Sequence, residues 1–422
     1  MNQDAERTMQ ALYAAIEEEQ GRWVGQHRDL RVSSQFQPIY SLPHRRPVGY
    51  EALARFATAQ GQVTDPGLAF SQVSGSDEQL RLDRLCRLLH VHNFVSQQSS
   101  DCWLFLNIHP EVFVRAAHEA PMLARAVDTV EQLGLPMNRL VFEVTEEIMS
   151  QGAPFEEAVE RARATGCLLA LDDFGAGHSN FDRVWRMKPE IVKLDKSLPR
   201  RALASPRIAR IMAQMVALLH ECGALVLQEG VEGRDELQLA LDADVDLVQG
   251  YGLGRPQDAL LPPEANPAID GFWDSVEDRQ MLGRERDDER LQPFRVAVQA
   301  AVARLASGEA LEPACRDVLA IRGAQLCFLL DEHGHDLGMR AHPDAQGVCP
   351  DRRFAPLEVA VDARWSRRPY FRRAMGRIGE LQVTRPYLSL HGARMCVTLS
   401  LAFRRDGRLC VLCADVDWGD GD

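Results

Sequence analysis

Between residues 30 and 258, short apolar runs that end in a polar residue alternate with longer stretches whose apolar residues recur every three or four positions. The short runs are YEALARF (50–56), WLFLN (103–107), LVFEVTEE (140–147), LLALDDFGAG (168–177), IVKLD (191–195), LVLQEGVE (225–232) and LVQGYGLG (247–254). The longer stretches include SDEQLRLDRLCRLLHVHNFV (76–95) and SPRIARIMAQMVALLHECG (205–223). From Asn107 the polar positions step through Glu143, Asp172, Lys193, Glu229 and Gln249 at intervals of 36, 29, 21, 36 and 20 residues. Such intervals suit one strand plus one helix or loop, the βα unit. About eight units of this kind close into a barrel whose chemistry lies at the carboxyl ends of its strands. A parallel strand buried on both faces reads as a continuous apolar run, and a polar residue marks where it opens into the top loops.

The flanking segments read differently. Residues 1–28 suggest a short amphipathic helix with Met9, Leu12, Ile16 and Trp23 on one side. PPEANP (262–267) is a stop, after which residues 266–306 read as a connecting helix, broken near Pro293, with Phe294, Val298, Val302 and Leu305 at helical spacing. From 307 to 422 the pattern turns to alternating strands, with hairpin turns in DEHGH (331–335) and RRDGR (404–408). The expected architecture is α/β: a TIM-like (β/α)8 barrel over 29–265, then a connecting helix and a C-terminal α+β domain.

Composition narrows the partners. Apolar residues make up 45% and charged residues 26%, ordinary values for a soluble globular chain. The net charge of −13 offers no basic face to polymeric nucleic acid or an anionic membrane. No run approaches the roughly 18 apolar residues of a membrane span, and MNQDAERTMQ has no basic segment leading into an apolar one, so a cytoplasmic protein is expected. The ten cysteines are scattered, with one CxxC at Cys410 and Cys413 inside an apolar run, and are expected to be reduced thiols. All three lysines, Lys188, Lys193 and Lys196, fall within nine residues, which singles out that segment.

The strand ends collect Glu51, Asn107, Glu143, Asp172, Asp173, Lys193, Glu229 and Gln249. So many carboxylates at one mouth repel each other unless a cation compensates. An all-oxygen donor set favours Mg²⁺ or Mn²⁺ over zinc. Adjacent Asp172 and Asp173 suit a two-metal site, the arrangement that supports in-line attack on a phosphodiester. Lys193 would hold the attacking water or a phosphate oxygen, Glu229 would orient or deprotonate that water, and Arg55 would grip a phosphate with its forked donors. The histidines show no metal-ligand spacing, and His178 in the loop after the aspartates is the one of interest.

These residues fall in a known order of motifs: FQPIY (36–40), Glu51-Ala52-Leu53 with Arg55, FLN (105–107), FEVTE (142–146), LDDFGAGHS (171–179), VKLD (192–195), EGVE (229–232) and QGY (249–251). The chain thus resembles the EAL family of cyclic di-GMP phosphodiesterases over residues 30–258. The resemblance implies a barrel with one antiparallel strand and Mg²⁺- or Mn²⁺-dependent hydrolysis of cyclic di-GMP to linear pGpG. It implies metal ligation by Glu51, Asn107, Glu143, Asp172, Asp173 and Glu229, and catalytic roles for Glu229, Lys193 and Glu51. It also implies substrate contacts from Gln37, Leu53, Arg55 and Gln249, loop anchoring by Glu146 and Glu232, and a homodimer. Gln228, Gly233 and His109 depart from the family pattern without removing a ligand. The competing readings are a cyclic di-GMP receptor without turnover and an interaction scaffold.

The tail resembles a PAS-related, Cache-like domain, through W…YF…A, PYLS and a closing D-x-D. That implies a sheet cupping a small-molecule ligand, near Trp365, Arg368, Tyr370 and Tyr387, and a sensor or dimerisation role. For those four residues the plainer reading, aromatics filling a sheet face and solvated arginines, is preferred.

Overall fold

The computed structural model describes residues 2–73, 75–97, 101–145, 153–176, 181–261, 288–343, 363–389 and 395–418. The chain forms two compact units, Met1–Val276 and Glu277–Asp422. In the first, the strands are β1 (Ile16–Glu19), β2 (Arg22–His27), β3 (Leu30–Ser41), β4 (Arg46–Thr58), β5 (Val63–Thr64), β6 (Trp103–Asn107), β7 (Leu140–Val144), β8 (Leu168–Phe174), β9 (Ile191–Leu194), β10 (Leu225–Gln228) and β11 (Leu247–Val248). Eight of them close a ring in the order β3-β4-β6-β7-β8-β9-β10-β11, with β11 pairing back onto β3. Only β3 runs against its neighbours in that ring; the pairings from β4 round to β11 are parallel.

The two faces of each strand meet different surroundings, because successive side chains alternate. Outward residues such as Leu106, Leu169, Val192 and Val226 join one large core with the surrounding helices. Inward residues form a separate layer: Ile39, Phe105, Val141, Ala170, Ile191, Leu227 and Leu247, one from each of seven ring strands. The eighth strand offers Gly49 at that level, where a Cβ would stand 2.7 Å from the Phe105 ring. Burial of each large side chain in this layer stabilises the barrel by about 1.5–3 kcal/mol. The barrel centre is therefore packed rather than open.

The N-terminal segment departs from expectation. Its helix covers Asn2–Tyr13 only, and residues 16–27 form the antiparallel pair β1–β2. The turn between them, Gln20-Gly21, has φ of 52° and 78°, the left-handed pair that a two-residue hairpin loop requires. Leu12 and Ile16 are buried and Met9 and Trp23 half-buried in one core, as their apolar character demands, but from two kinds of element.

The second unit is an antiparallel sheet of β12 (Ala324–Asp331), β13 (Asp336–Ala341), β14 (Gln382–Val383), β15 (Tyr387–Leu388), β16 (Met395–Arg405) and β17 (Arg408–Asp417). Both expected hairpins are present, and Asp406-Gly407 takes the same left-handed pair, φ 48° and 78°. Residues 288–306 are helical through Pro293 rather than broken there. That helix buries Leu291, Phe294, Val298 and Leu305 against the sheet, so it belongs to the core of this unit and is not a free connector. The continuous apolar face outweighs the one backbone hydrogen bond a proline forgoes. The CxxC lies on β17, where an odd spacing sends Cys410 and Cys413 into different cores on opposite faces; they cannot share a metal. Every described cysteine is a free thiol. Among the described residues no helix is long and apolar enough to cross a membrane.

Candidate active site

One step along each ring strand from the apolar layer, two residues further toward the open end, the inward side chains change character. Ile39, Gly49, Phe105, Val141, Ala170, Ile191, Leu227 and Leu247 are followed there by Gln37, Glu51, Asn107, Glu143, Asp172, Lys193, Glu229 and Gln249. Parallel register brings these positions to one level: Asn107 pairs with Glu143 across β6–β7, and Gln37 with Glu51 across β3–β4. Strand period and barrel closure together gather eight residues from 213 positions of chain onto one floor.

At its centre is Lys193, buried to 1% exposure. Its Nζ lies 2.9 Å from Glu143 Oε1, 2.9 Å from Glu229 Oε1, 3.2 Å from Asp172 Oδ1 and 3.8 Å from Glu51 Oε2. Its ammonium is thus a counter-cation within the acid cluster and offsets part of the repulsion among those carboxylates. Burial alone would lower its pKa, but Asp172, Glu143, Glu51 and Glu229 outweigh that and hold it well above the usual lysine range. Glu51 accepts from Asn107 Nδ2 at 2.9 Å and from Gln249 Nε2 at 2.8 Å. Burial pushes its carboxyl up, yet Lys193 and these amides leave it lower than usual. Glu143, buried beside charged Glu51, is instead pushed well above the usual carboxylate range. Burial also raises Glu229 to about 7, against the opposing pull of Lys193 and with the added repulsion of Asp172.

Asp172 and Asp173 reach the floor by a backbone irregularity. Consecutive strand residues normally face opposite ways. The β8–β9 register shifts between Leu171 and Phe174, and Asp173 adopts φ 58°. This bulge turns both carboxylates toward β10, so that oxygens of Asp172, Asp173 and Glu229 lie within 4.8 Å of one another. Two glycines fix the neighbouring ends. A Cβ on Gly250 would stand 2.1 Å from the Val231 carbonyl oxygen, and one on Gly230, at φ 71°, 2.6 Å from Lys196 Cβ. The EGVE and QGY segments can therefore pack together and present Glu229 and Gln249 side by side.

The donor chemistry fits a hard divalent cation. Donors are oxygens throughout, and five carboxylates face one ammonium group. Neither oxygen of buried Glu143 accepts an aligned hydrogen bond, despite the nearby Nζ, and buried Gln249 Oε1 has no donor. Such under-satisfied oxygens suit a hard cation such as Mg²⁺ or Mn²⁺.

Comparison with known proteins decides the family, because the EAL domain model matches residues 25–256, more than half of the chain. The chain belongs to the EAL-domain family. It is 28% identical over 225 residues to the cyclic di-GMP phosphodiesterase RocR of Pseudomonas aeruginosa, covering 52% of this chain and 56% of RocR. It is 28% identical over 238 residues to the cyclic di-GMP phosphodiesterase NbdA of the same organism, covering 54% of this chain and 29% of NbdA. The chain thus spans about half or less of the length of these curated relatives. Among solved structures, the YkuI protein of Bacillus subtilis, an EAL-domain protein in complex with cyclic di-GMP and calcium, superposes with a TM-score of 0.78 at 21% identity. That match covers 92% of this chain and 97% of YkuI, so the shared fold extends into the C-terminal unit.

The EAL motif itself lies on β4, where Glu51, Leu53 and Arg55 share the inward face and lead away from the acid floor. Arg55 Nε donates to Gln35 Oε1 at 2.7 Å, and Gln35 Nε2 donates to Asp258 Oδ1 at 3.1 Å. Gln35 and Asp258 escaped the sequence reading; the signal was there in Gln35 and Gln37, polar residues two apart that flank Phe36 on β3. Gln37 Nε2 donates to the Gly254 carbonyl at 3.3 Å. Glu232, expected to anchor the loop after the aspartates, is 58% exposed and pairs with Arg200 at 3.1 Å; no bond to that loop appears among the described residues. Glu146 and His178 lie outside the described residues. Gln228 is wholly buried and donates to the Glu236 carbonyl at 3.0 Å, away from the floor.

Proposed function

We propose that the barrel is a divalent-metal-dependent phosphodiesterase that hydrolyses cyclic di-GMP to linear pGpG. The observation that carries this reading is the inward layer of Glu51, Asn107, Glu143, Asp172, Glu229 and Gln249 around Lys193, with Asp173 added by the β8 bulge. The named activity of RocR and NbdA supports the substrate class.

In this reading Glu51, Asn107, Glu143, Asp172, Asp173 and Glu229 hold Mg²⁺ or Mn²⁺, which supplies charge neutralisation for the phosphate and a more acidic water. Lys193 keeps the carboxylates of Glu143 and Glu229 in place from 2.9 Å. Glu229, beside Asp172 and Asp173 at the rim of the cluster, accepts the proton of the attacking water. Gln249 and Asn107 orient Glu51 through their amide hydrogens. Arg55, Leu53 and Gln37 receive the nucleotide along the face that leads out from Glu51. Water adds across one phosphodiester bond, and the ring opens to a linear dinucleotide with a terminal phosphate.

We read the C-terminal unit as a PAS-related, Cache-like sensor or dimerisation domain, and the chain as a cytoplasmic homodimer. Its supports are the antiparallel sheet and an aromatic face where Phe328 meets Tyr370 edge-on at 5.9 Å, Tyr370 meets Tyr387 at a tilt at 6.3 Å, and Arg368 lies over Trp365. The free thiols fit a reducing compartment. Incubation with cyclic di-GMP and Mn²⁺, followed by chromatography for pGpG, tests the enzymatic reading. Binding without any product would leave a receptor in its place.

A further inference from the structure

On the outer side of the barrel wall, opposite the acid floor, lies a cavity of about 130 Å³ that the chemistry above does not use. It is bounded by β6 and β7 and by the helices Asn2–Tyr13, Ser76–Val95, Ala120–Gln132 and Ala153–Ala164. Its walls are almost wholly apolar, with three methionines, Met9, Met122 and Met137, among them. Phe142 shows the gap from the strand side: it is only half-buried, whereas Val141 and Glu143 on either side are 0% and 1% exposed. Close-packed interiors seldom leave a void of this size, and apolar ones of about 150 Å³ stay dry and take up a benzene-sized molecule.

The polar atoms at the lining define what fits. Arg84, Arg87 and Arg161 all border the cavity, and each is already paired with a carboxylate, Glu119, Asp83 and Glu157 in turn. No net positive charge is left to hold an anion. We propose that this cavity is a binding site for a small, uncharged, largely apolar molecule of six to eight non-hydrogen atoms.

The site backs directly onto the acid floor. Leu106 and Phe142 line it from the outer faces of β6 and β7, and the next residue on each strand, Asn107 and Glu143, faces inward. A ligand that wedges Leu106 or Phe142 moves the strand segment that also carries an inward donor. Resting on the phosphodiesterase reading, occupancy therefore changes the hydrolysis rate.

Titration of full-length protein with cyclohexanone, followed through [13C]methyl-methionine resonances, tests the site. Saturable shifts are expected for Met9, Met122 and Met137 alone among the methionines, with a dissociation constant of about 1 mM or tighter. Cyclohexanecarboxylate should bind at least about tenfold more weakly. Ala126→Phe, which fills the cavity, should abolish the shifts while the remaining methionine spectrum stays native; Ala162→Leu serves if that variant does not fold. No saturable shift by about 10 mM, equal binding of the carboxylate, or undiminished binding in a folded filled variant would each overturn the proposal. The rate link is read separately as a change of more than about twofold at saturation. An unchanged rate with shifted methionines sinks the link alone, whereas absence of pGpG under every condition sinks the phosphodiesterase reading and leaves the methionine result standing.

Discussion

Lys193 Nζ stands 2.9 Å from Glu143 Oε1, and both residues are buried to 1% exposure at the centre of the barrel floor. The lysine meets three more carboxylates within 3.8 Å, so it is the one described cation among Glu51, Glu143, Asp172 and Glu229. Removing one partner of a buried ion pair leaves the other charge desolvated and uncompensated.

Lys193→Met should therefore destabilise the barrel by about 3–5 kcal/mol in metal-free buffer. Urea denaturation in the presence of a chelator measures this. A loss below about 1 kcal/mol, the value of an exposed pair, would show that the acids have another counter-cation.

Divalent metal should stabilise the folded chain, because the floor retains an excess of carboxylates over ammonium. Mn²⁺ at a hundred times its dissociation constant is expected to add about 2.7 kcal/mol, reversed by chelation. Ca²⁺, with its longer bonds and higher coordination number, should bind and stabilise yet suppress hydrolysis. A melting temperature indifferent to both ions would argue against a metal site.

Glu51 accepts hydrogen bonds from Asn107 and Gln249 and faces Lys193, so it organises the floor as well as donating oxygens. Glu51→Ala should lower turnover at least about a hundredfold, with the far-ultraviolet dichroism of the barrel unchanged. Retained turnover would remove Glu51 from the proposed ligand set.

At Asp173 the backbone and the carboxylate can be tested apart, since φ is 58°. Asparagine tolerates that conformation and a β-branched residue does not. Asp173→Asn should keep native stability and lose activity, whereas Asp173→Val should lose activity and about 1–3 kcal/mol of stability as well. Equal stability of the two variants would mean that the bulge relaxes freely.

Asp415 gives the C-terminal unit a pH signature. Its carboxyl, buried on β17, accepts from Thr398 Oγ1 at 2.7 Å and Ser389 Oγ at 3.4 Å. Burial pushes its pKa up to about 6, only partly offset by those two hydroxyls. A raised folded-state value means that the native state binds the proton more tightly than the unfolded state does. The associated stability is thus present below about pH 4 and lost as pH rises to about 6, on the order of 3 kcal/mol. Asp415→Asn should flatten this stretch of the stability profile, and an unchanged slope would assign it to other groups.

Much of the barrel was legible in the chain. Strands buried on both faces are continuous apolar runs, so WLFLN (103–107) and IVKL (191–194) appear in the sequence with nearly the bounds they have in the fold. The polar residue that closes WLFLN, Asn107, and the one inside IVKL, Lys193, were legible too, because nothing else interrupts the apolar pattern there. The N-terminal segment misled, since Leu12, Ile16 and Trp23 also satisfy a helical period. The decisive signal was the left-handed turn at Gln20-Gly21. Pro293 misled as well, because a local rule about helices yields to a long apolar face packed on a sheet.

By itself the sequence determined which side chains are available for chemistry, on which strands they sit, and the period of two that points Glu51, Glu143, Asp172 and Glu229 to one side. What only the tertiary structure decided was their partnership: that Lys193 neutralises those acids rather than facing solvent, that a bulge brings Asp173 round beside Asp172, and that a cavity is left behind Phe142. The physical reason is range. Strand periodicity is set by neighbouring peptide units, but which charges end up 3 Å apart, and which volumes stay unfilled, depends on how segments scores of residues apart close into a ring.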